Sequence, residues 1–281
     1  MSRIQTRFKE LNTRGEGVLI GHLVAGDPDL ARSREYARAL IAGGMDALAL
    51  SIPFSDPVAN GPVLQTANAR ALQTGITPPA IFDLARELRQ ETSIPLVLAT
   101  YYNPVLAMGE EAFLKRCLEA SIDGAIVLDL PIEEAPSLLA LARRHRIDTI
   151  FSVMPEASDE RLQRIAAETT GFLYIASYSE TSIPRVRGIV PAGLPLVVEL
   201  GEADPEQIRA ALRTGAQGVT VGNTLAERIT AGISPEALQT FMQELKASTR
   251  PSVPAPTHTP NEMTIESQKP EMGDGAPRVG S

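Results

Sequence analysis

The sequence predicts a single (β/α)8 barrel, on three observations. Eight short apolar runs punctuate the chain: Val18–Val24, Ala47–Ile52, Leu96–Tyr101, Gly124–Leu128, Thr149–Val153, Phe172–Ala176, Leu194–Val198 and Gly218–Val221. Segments of helical periodicity separate most of them, and repeated strand-then-helix units with short connections make parallel strands joined by right-handed crossovers. The chain has 281 residues, close to the ~250 that one closed eight-unit barrel uses. An apolar fraction of 43% with only 4% aromatics and no Trp means a core of Ala, Val, Ile and Leu, as in a parallel sheet buried on both faces.

Each unit has local support. The helical stretches are Leu30–Ala42, Ala80–Leu88, Glu110–Ala120, Ile132–His145, Asp159–Glu168, Pro205–Thr214 and Leu225–Leu245. Asp204-Pro205 and Ser234-Pro235 set a capping side chain before a proline in the first turn, and Ser158 is a further N-cap. Gly43-Gly44, Gly171 and Gly215 stop helices ahead of the next strand. The segment from Ser177 to Gly193, SYSETSIPRVRGIVPAG, has little helical period. It predicts a loop with at most one short helical turn, so the crossover after the sixth strand is shortened. Residues 248–281 are rich in Pro, Ser, Thr, Glu and Gly and have too few large apolar groups to offset ordering entropy. The expected organisation is a barrel over 1–247 and a disordered tail over 248–281.

Bulk properties exclude several functions. The net charge is −8 with no basic run, so the Lys/Arg footprint of a nucleic-acid partner is missing. The single cysteine, Cys117, falls in an apolar helical pattern and reads as a small core residue. Met1 to Glu10 is charged and lacks the apolar stretch of a signal peptide. No run of about 18 apolar residues offers a membrane span. The expected location is cytoplasmic.

In such a barrel the chemistry lies at the C-terminal ends of the strands. The residues there are HLVAGDPD (His22–Asp29), IPFSDPVANGP (Ile52–Pro62), TYYNP (Thr100–Pro104), DLP (Asp129–Pro131), the irregular loop from Ser177, ELGEADPEQ (Glu199–Gln207) and VGNTLAE (Val221–Glu227). Gly222-Asn223, opening a helix after the last strand, offers backbone N–H groups and the positive end of a helix dipole to an anion.

The motifs AGDPD (Ala25–Asp29), DALALSIPFSDPVANGPVLQ (Asp46–Gln65), TYYNP, DGAIVLDLP (Asp123–Pro131), TTGFLYIAS (Thr169–Ser177) and GAQGVTVGNTLAERI (Gly215–Ile229) resemble, in order and spacing, the tryptophan synthase α-subunit family. The resemblance covers about Met1 to Lys246. It implies retro-aldol cleavage of indole-3-glycerol phosphate to indole and glyceraldehyde 3-phosphate. In that family a buried carboxylate on the second strand moves protons, and a second carboxylate in the following loop polarises the indole nitrogen. No cofactor is used, and indole passes to a β-type subunit that carries pyridoxal phosphate. Carried over position by position, the resemblance implies substrate contacts from Tyr101, Tyr174, Ser182, Gly201, Gly222 and Asn223. It implies a partner interface at Pro53, Asp56, Pro57 and Asn103. Asp27 and Asp129 also match.

The chain departs from the family where chemistry is done. Ala49 stands at the strand-two carboxylate position and Asn60 at the loop carboxylate position, so neither can carry the proton. Ser51 replaces a glycine, His22 an aromatic, and Glu180 a glycine. Glu199-Leu200-Gly201-Glu202-Ala203 replaces the Gly-Phe-Gly-Ile-Ser that binds phosphate. The acidic rim disfavours a phosphate dianion. His22, Glu199 and Asp129 are the candidate replacement groups, with Glu202 expected to raise the pKa of Glu199 by repulsion. Three functions follow as expectations: an α-type barrel impaired for the family reaction, a non-catalytic subunit that binds and activates a β-type subunit, and a barrel enzyme turned to a non-phosphorylated small molecule.

Overall fold

A computed structural model of the protein describes residues 1–251 and 280. Its nine parallel strands are β1 (Val18–Val24), β2 (Ala47–Ser51), β3 (Leu96–Thr100), β4 (Gly124–Val127), β5 (Asp148–Ile150), β6 (Ser152–Val153), β7 (Leu173–Ile175), β8 (Leu196–Leu200) and β9 (Gly218–Val221). They pair in the order β5-β4-β3-β2-β1-β9-β8-β7-β6. Only Phe151 separates β5 from β6, so the two ends of this ladder are one interrupted fifth strand, and the sheet closes through it. The eight apolar runs therefore form the predicted barrel.

Alternation divides the core. Ile20, Ala47, Ala49, Val97, Ala99, Ile126, Ile150, Phe172 and Val197 fill the interior, while Leu19, Leu48, Leu50, Leu98, Val198 and Val221 face the helical shell. Helix α1 (Arg3–Thr13) places Ile4, Phe8 and Leu11 against the interior cluster and closes the bottom, the end at which the strands begin. Ser2 and Gln5 form a capping box at its start, satisfying two amides that would otherwise lack partners.

The shell helices are α2 (Leu30–Ala42), α3 (Pro62–Gln73), α4 (Pro78–Glu91), α5 (Tyr102–Met108), α6 (Glu110–Glu119), α7 (Pro136–His145), α8 (Asp159–Glu168), α9 (Ser182–Arg187), α10 (Pro205–Arg213), α11 (Asn223–Thr230) and α12 (Pro235–Ala247). Ser158, Asp204 and Ser234 accept hydrogen bonds from first-turn amides as N-caps. The short α9 is the shortened sixth crossover. Cys117 is buried in α6, and burial pushes its thiol pKa up.

Four features differ from or add to the expectations. Helices α1 and α3 occupy segments with no predicted helix. Within TYYNP, Tyr102 starts α5, whose Pro104 lies in the first turn, where a missing N–H costs nothing. The single stretch Leu225–Leu245 is two helices, α11 and α12, separated at Gly232, which has a φ of +76° that favours glycine. The compact unit runs to Pro251: Thr249 is buried, and its carbonyl accepts the Gly17 amide at 2.8 Å. The rest of the expected tail, save Gly280, lies outside the described residues.

Candidate active site at the barrel mouth

The second strand places Ala49 inward, where it lines a small central cavity with Ile20, His22, Ala99, Ile126, Leu128, Phe172, Tyr174 and Thr220. The cavity measures about 20 Å3. A single water needs ~10–15 Å3, whereas ligand pockets for drug-sized molecules run to ~300–1,000 Å3. The interior therefore has room for about one water-sized group. Ala49 contributes a methyl and no proton-carrying atom to it.

Two departures from the family pattern meet directly. β1 pairs with β2 so that His22 lies beside Ala49 and Val24 beside Ser51, and His22 Nε2 hydrogen-bonds Ser51 Oγ at 2.5 Å. Both residues are buried. Burial lowers the His22 pKa to about 4, so the ring is neutral at neutral pH.

A third departure meets a family-like residue. Glu199 is not a residue beyond the strand: β8 runs through Leu200, and alternation from the inward Val197 turns Glu199 into the barrel. The Tyr174 hydroxyl donates to Glu199 Oε2 at 2.7 Å. Burial raises the Glu199 pKa to about 7, against the lowering effects of Tyr174 and the amides of Gly222 and Asn223. Burial is thus the cause, and the expected repulsion from Glu202 is not; Glu202 is exposed on the rim. Burial and the adjoining carboxylate push the Tyr174 pKa well up. Oε1 of Glu199 completes no hydrogen bond, and neither do the buried Thr220 Oγ1 and Asn223 Oδ1.

Gly222 separates the two groups. A Cβ there would lie 3.0 Å from His22 Nδ1 and 3.2 Å from Glu199 Oε1, so the close approach of both side chains requires glycine. Thr220 is the residue that sequence reasoning missed. Its position between Gly218 and Gly222 in an alternating strand was the available signal for an inward hydroxyl.

The other expected residues divide. Tyr101 is buried and stacks on Phe54 with ring centroids 5.1 Å apart, and its hydroxyl accepts the Ala59 amide at 3.1 Å. It braces the loop after β2 rather than lining the cavity. Asn68 braces the same loop from α3 by accepting the Phe54 amide at 3.0 Å. Asn60 sits on this loop, its carbonyl accepting from Gln65 at 2.8 Å. Asp129 accepts the Tyr102 amide at 2.6 Å, where it caps α5, and it stands apart from the His22–Glu199 group. The Ser182 hydroxyl donates to the Ser179 carbonyl at 2.7 Å and accepts the Ser179 amide at 3.0 Å, so it serves its own turn. Gly201 is exposed and free of crowding. Pro53 is buried, Pro57 half-buried, and Asp56 and Asn103 exposed on the rim. Among the described residues no group of three or more His, Cys, Asp or Glu could hold a metal, and no helix is long and apolar enough to cross a membrane.

A family model described as tryptophan synthase alpha chain matches residues 8–252. A tryptophan synthase alpha chain from Desulfatibacillum aliphaticivorans is 36% identical over 265 residues, covering 89% of this chain and 100% of its own length. A solved tryptophan synthase structure from M. tuberculosis matches with a TM-score of 0.84 at 31% identity, covering 89% of this chain and 99% of that one. A tryptophan synthase complex from Pyrococcus furiosus matches with a TM-score of 0.77 at 35% identity, covering 83% and 98%.

Proposed function

This chain belongs to the tryptophan synthase alpha chain family, and from that premise we propose an α-type barrel subunit impaired for cleavage of indole-3-glycerol phosphate that keeps the surface for a β-type partner. The observation that carries this reading is Ala49 on the wall of a cavity of about 20 Å3. The retro-aldol step must take a proton from the glycerol hydroxyl, break the bond to indole C3 and return a proton to that carbon. Acid–base groups contribute ~10²–10⁴-fold to such steps, and here both family carboxylate positions hold residues that do not titrate. Glu199 adds a second obstacle. Its Oε1 stands 3.2 Å from where a Cβ on Gly222 would lie, in the space a phosphate would need to reach the amides that open α11.

The partner surface supports the second half of the proposal. The loop after β2 is held by hydrogen bonds to Tyr101 and Asn68. Next to it the rim exposes Val58 and Leu106, at 69% and 60%, beside Asp56 and Asn103. The test is co-elution with a β-type subunit, with Val58→Asp and Leu106→Asp as controls. A complex that these substitutions weaken supports the reading, and no complex overturns it. The paired departures at His22–Ser51 and Tyr174–Glu199 favour one alternative: a barrel enzyme acting on a non-phosphorylated molecule, with Glu199 as its proton-transfer group.

A further inference from the structure

We infer that Glu199, Thr220 and Asn223 form a binding site at the barrel mouth that selects small hydrogen-bond-donating ligands, an alkylammonium group above all, and rejects phosphate. The inference stands independently of catalysis and of any β-type partner. The start of α11 offers free amides, which ordinarily favour an anion. In this protein the space beside that helix start is occupied from within the chain: Glu199 Oε1 stands 3.2 Å from where a Cβ on Gly222 would lie, without completing a hydrogen bond there. An incoming phosphate would have to displace a carboxylate that Tyr174 holds at 2.7 Å, or sit beside it at a cost that low local dielectric enlarges.

The unpartnered atoms point to the opposite ligand. Glu199 Oε1 and Asn223 Oδ1 are acceptors without donors, and Thr220 Oγ1, 3% exposed by residue, is a hydroxyl without a partner. Buried polar atoms without partners are costly and uncommon in native proteins. Glu199 and Thr220 are register neighbours on β8 and β9, and Asn223 opens α11 three residues after Thr220, so the three unpartnered groups lie at the C-terminal ends of two adjacent strands. The titratable groups facing Glu199 are Tyr174 and His22; the first donates to it, and the second is neutral. None supplies a cation. Below them the cavity walls of Ile20, Ala49 and Phe172 accept about one methyl-sized group. An ammonium on a short alkyl stem satisfies both layers.

The test is an amide NMR titration of the full-length chain at pH 8, where Glu199 is ionised. The probes are methylammonium chloride, inorganic phosphate, and sodium chloride at matched ionic strength. Methylammonium should shift the Thr220, Gly222 and Asn223 resonances saturably, and phosphate at the same concentration should not. Glu199→Gln keeps the side-chain size and should weaken methylammonium binding at least tenfold. Glu199→Gly empties the amides and should admit phosphate, with a thermal melt confirming that each variant folds. Phosphate shifting these resonances in the parent would overturn the proposal. So would methylammonium behaving as sodium chloride does, or binding Glu199→Gln equally well.

Discussion

The two ends of the barrel treat buried charge in opposite ways. At the bottom, Asp46 is fully buried yet its carboxylate has three partners: it accepts the Leu19 amide at 2.8 Å, and Arg7 at 2.9 Å and Lys246 at 2.8 Å pair with it, just before β2 begins. Asp123 likewise takes the Leu96 amide and Arg89, each at 2.8 Å, and pairs with Arg3. At the mouth, Glu199 has one hydroxyl donor, no cation, and an oxygen without a partner. The bottom is not uniformly tidy, since Asp148 Oδ2 also lacks a partner. The contrast still separates an end whose buried carboxylates are paired with cations from one whose buried carboxylate is not, and in barrel folds generally the first end serves stability and the second chemistry.

Breaking the bottom should produce the largest stability effect. Asp46→Ala leaves the Leu19 amide unpaired and reduces Arg7 and Lys246 to their longer pairs with Glu10 and Glu16, at 3.7 and 3.5 Å, so urea unfolding should show a loss of about 3 kcal/mol. Mouth resonances in NMR spectra should stay in place. If the loss is under about 1 kcal/mol, the bottom is not the stabilising end.

The next effect sharpens the contrast through pH. The Glu199 pKa is raised to about 7, so its contribution to stability is full below the unfolded-state value near 4.5. It is lost as pH rises through 7. One pKa unit is worth about 1.4 kcal/mol, so the loss is at most about 3 kcal/mol. His22 works the other way: its lowered pKa costs stability as pH falls from 6.5 toward 4. Unfolding curves of Glu199→Gln should therefore lack the parent's decline between pH 4.5 and 7 and keep the decline on acidification. An unchanged slope would mean that Glu199 is not buried.

Tyr174→Phe is the smallest change. It removes one hydrogen bond to a carboxylate, worth about 1.5–3 kcal/mol when that group is charged and less when it is protonated. Because Tyr174 lowers the Glu199 pKa, carbon NMR of the glutamate carboxyl should show that pKa rising further. A fall would mean that the two side chains do not touch.

The same contrast explains what the sequence could reveal. The strands were legible because apolar runs of four to seven residues have one interpretation when helical periods separate them. Helix α3 was hidden because its buried face is small, Leu64, Ala67, Asn68 and Ala71, and it follows a proline-rich loop. Helix α5 was hidden because Pro104 reads as a breaker until its place in the first turn is known. At the site, the identity of each departure could be read directly: Ala49, Asn60, His22, Ser51 and Glu199. Their pairing could not. His22 and Ser51 are 29 positions apart and Tyr174 and Glu199 are 25 apart, so contact depends on strand register and inward alternation. The burial of Glu199 likewise depended on β8 extending two residues past the apolar run.

Indole release from indole-3-glycerol phosphate tests the central claim most directly, that the acid–base pair is gone from this barrel. The parent should release no indole above background, alone or with a β-type subunit. Release should begin only when Ala49→Glu and Asn60→Asp are installed together, and should increase when Glu199→Gly opens the amides of Gly222 and Asn223. Efficient release by the parent, with Ala49 and Asn60 in place, would contradict the account and would make Glu199 or His22 the group that moves the proton.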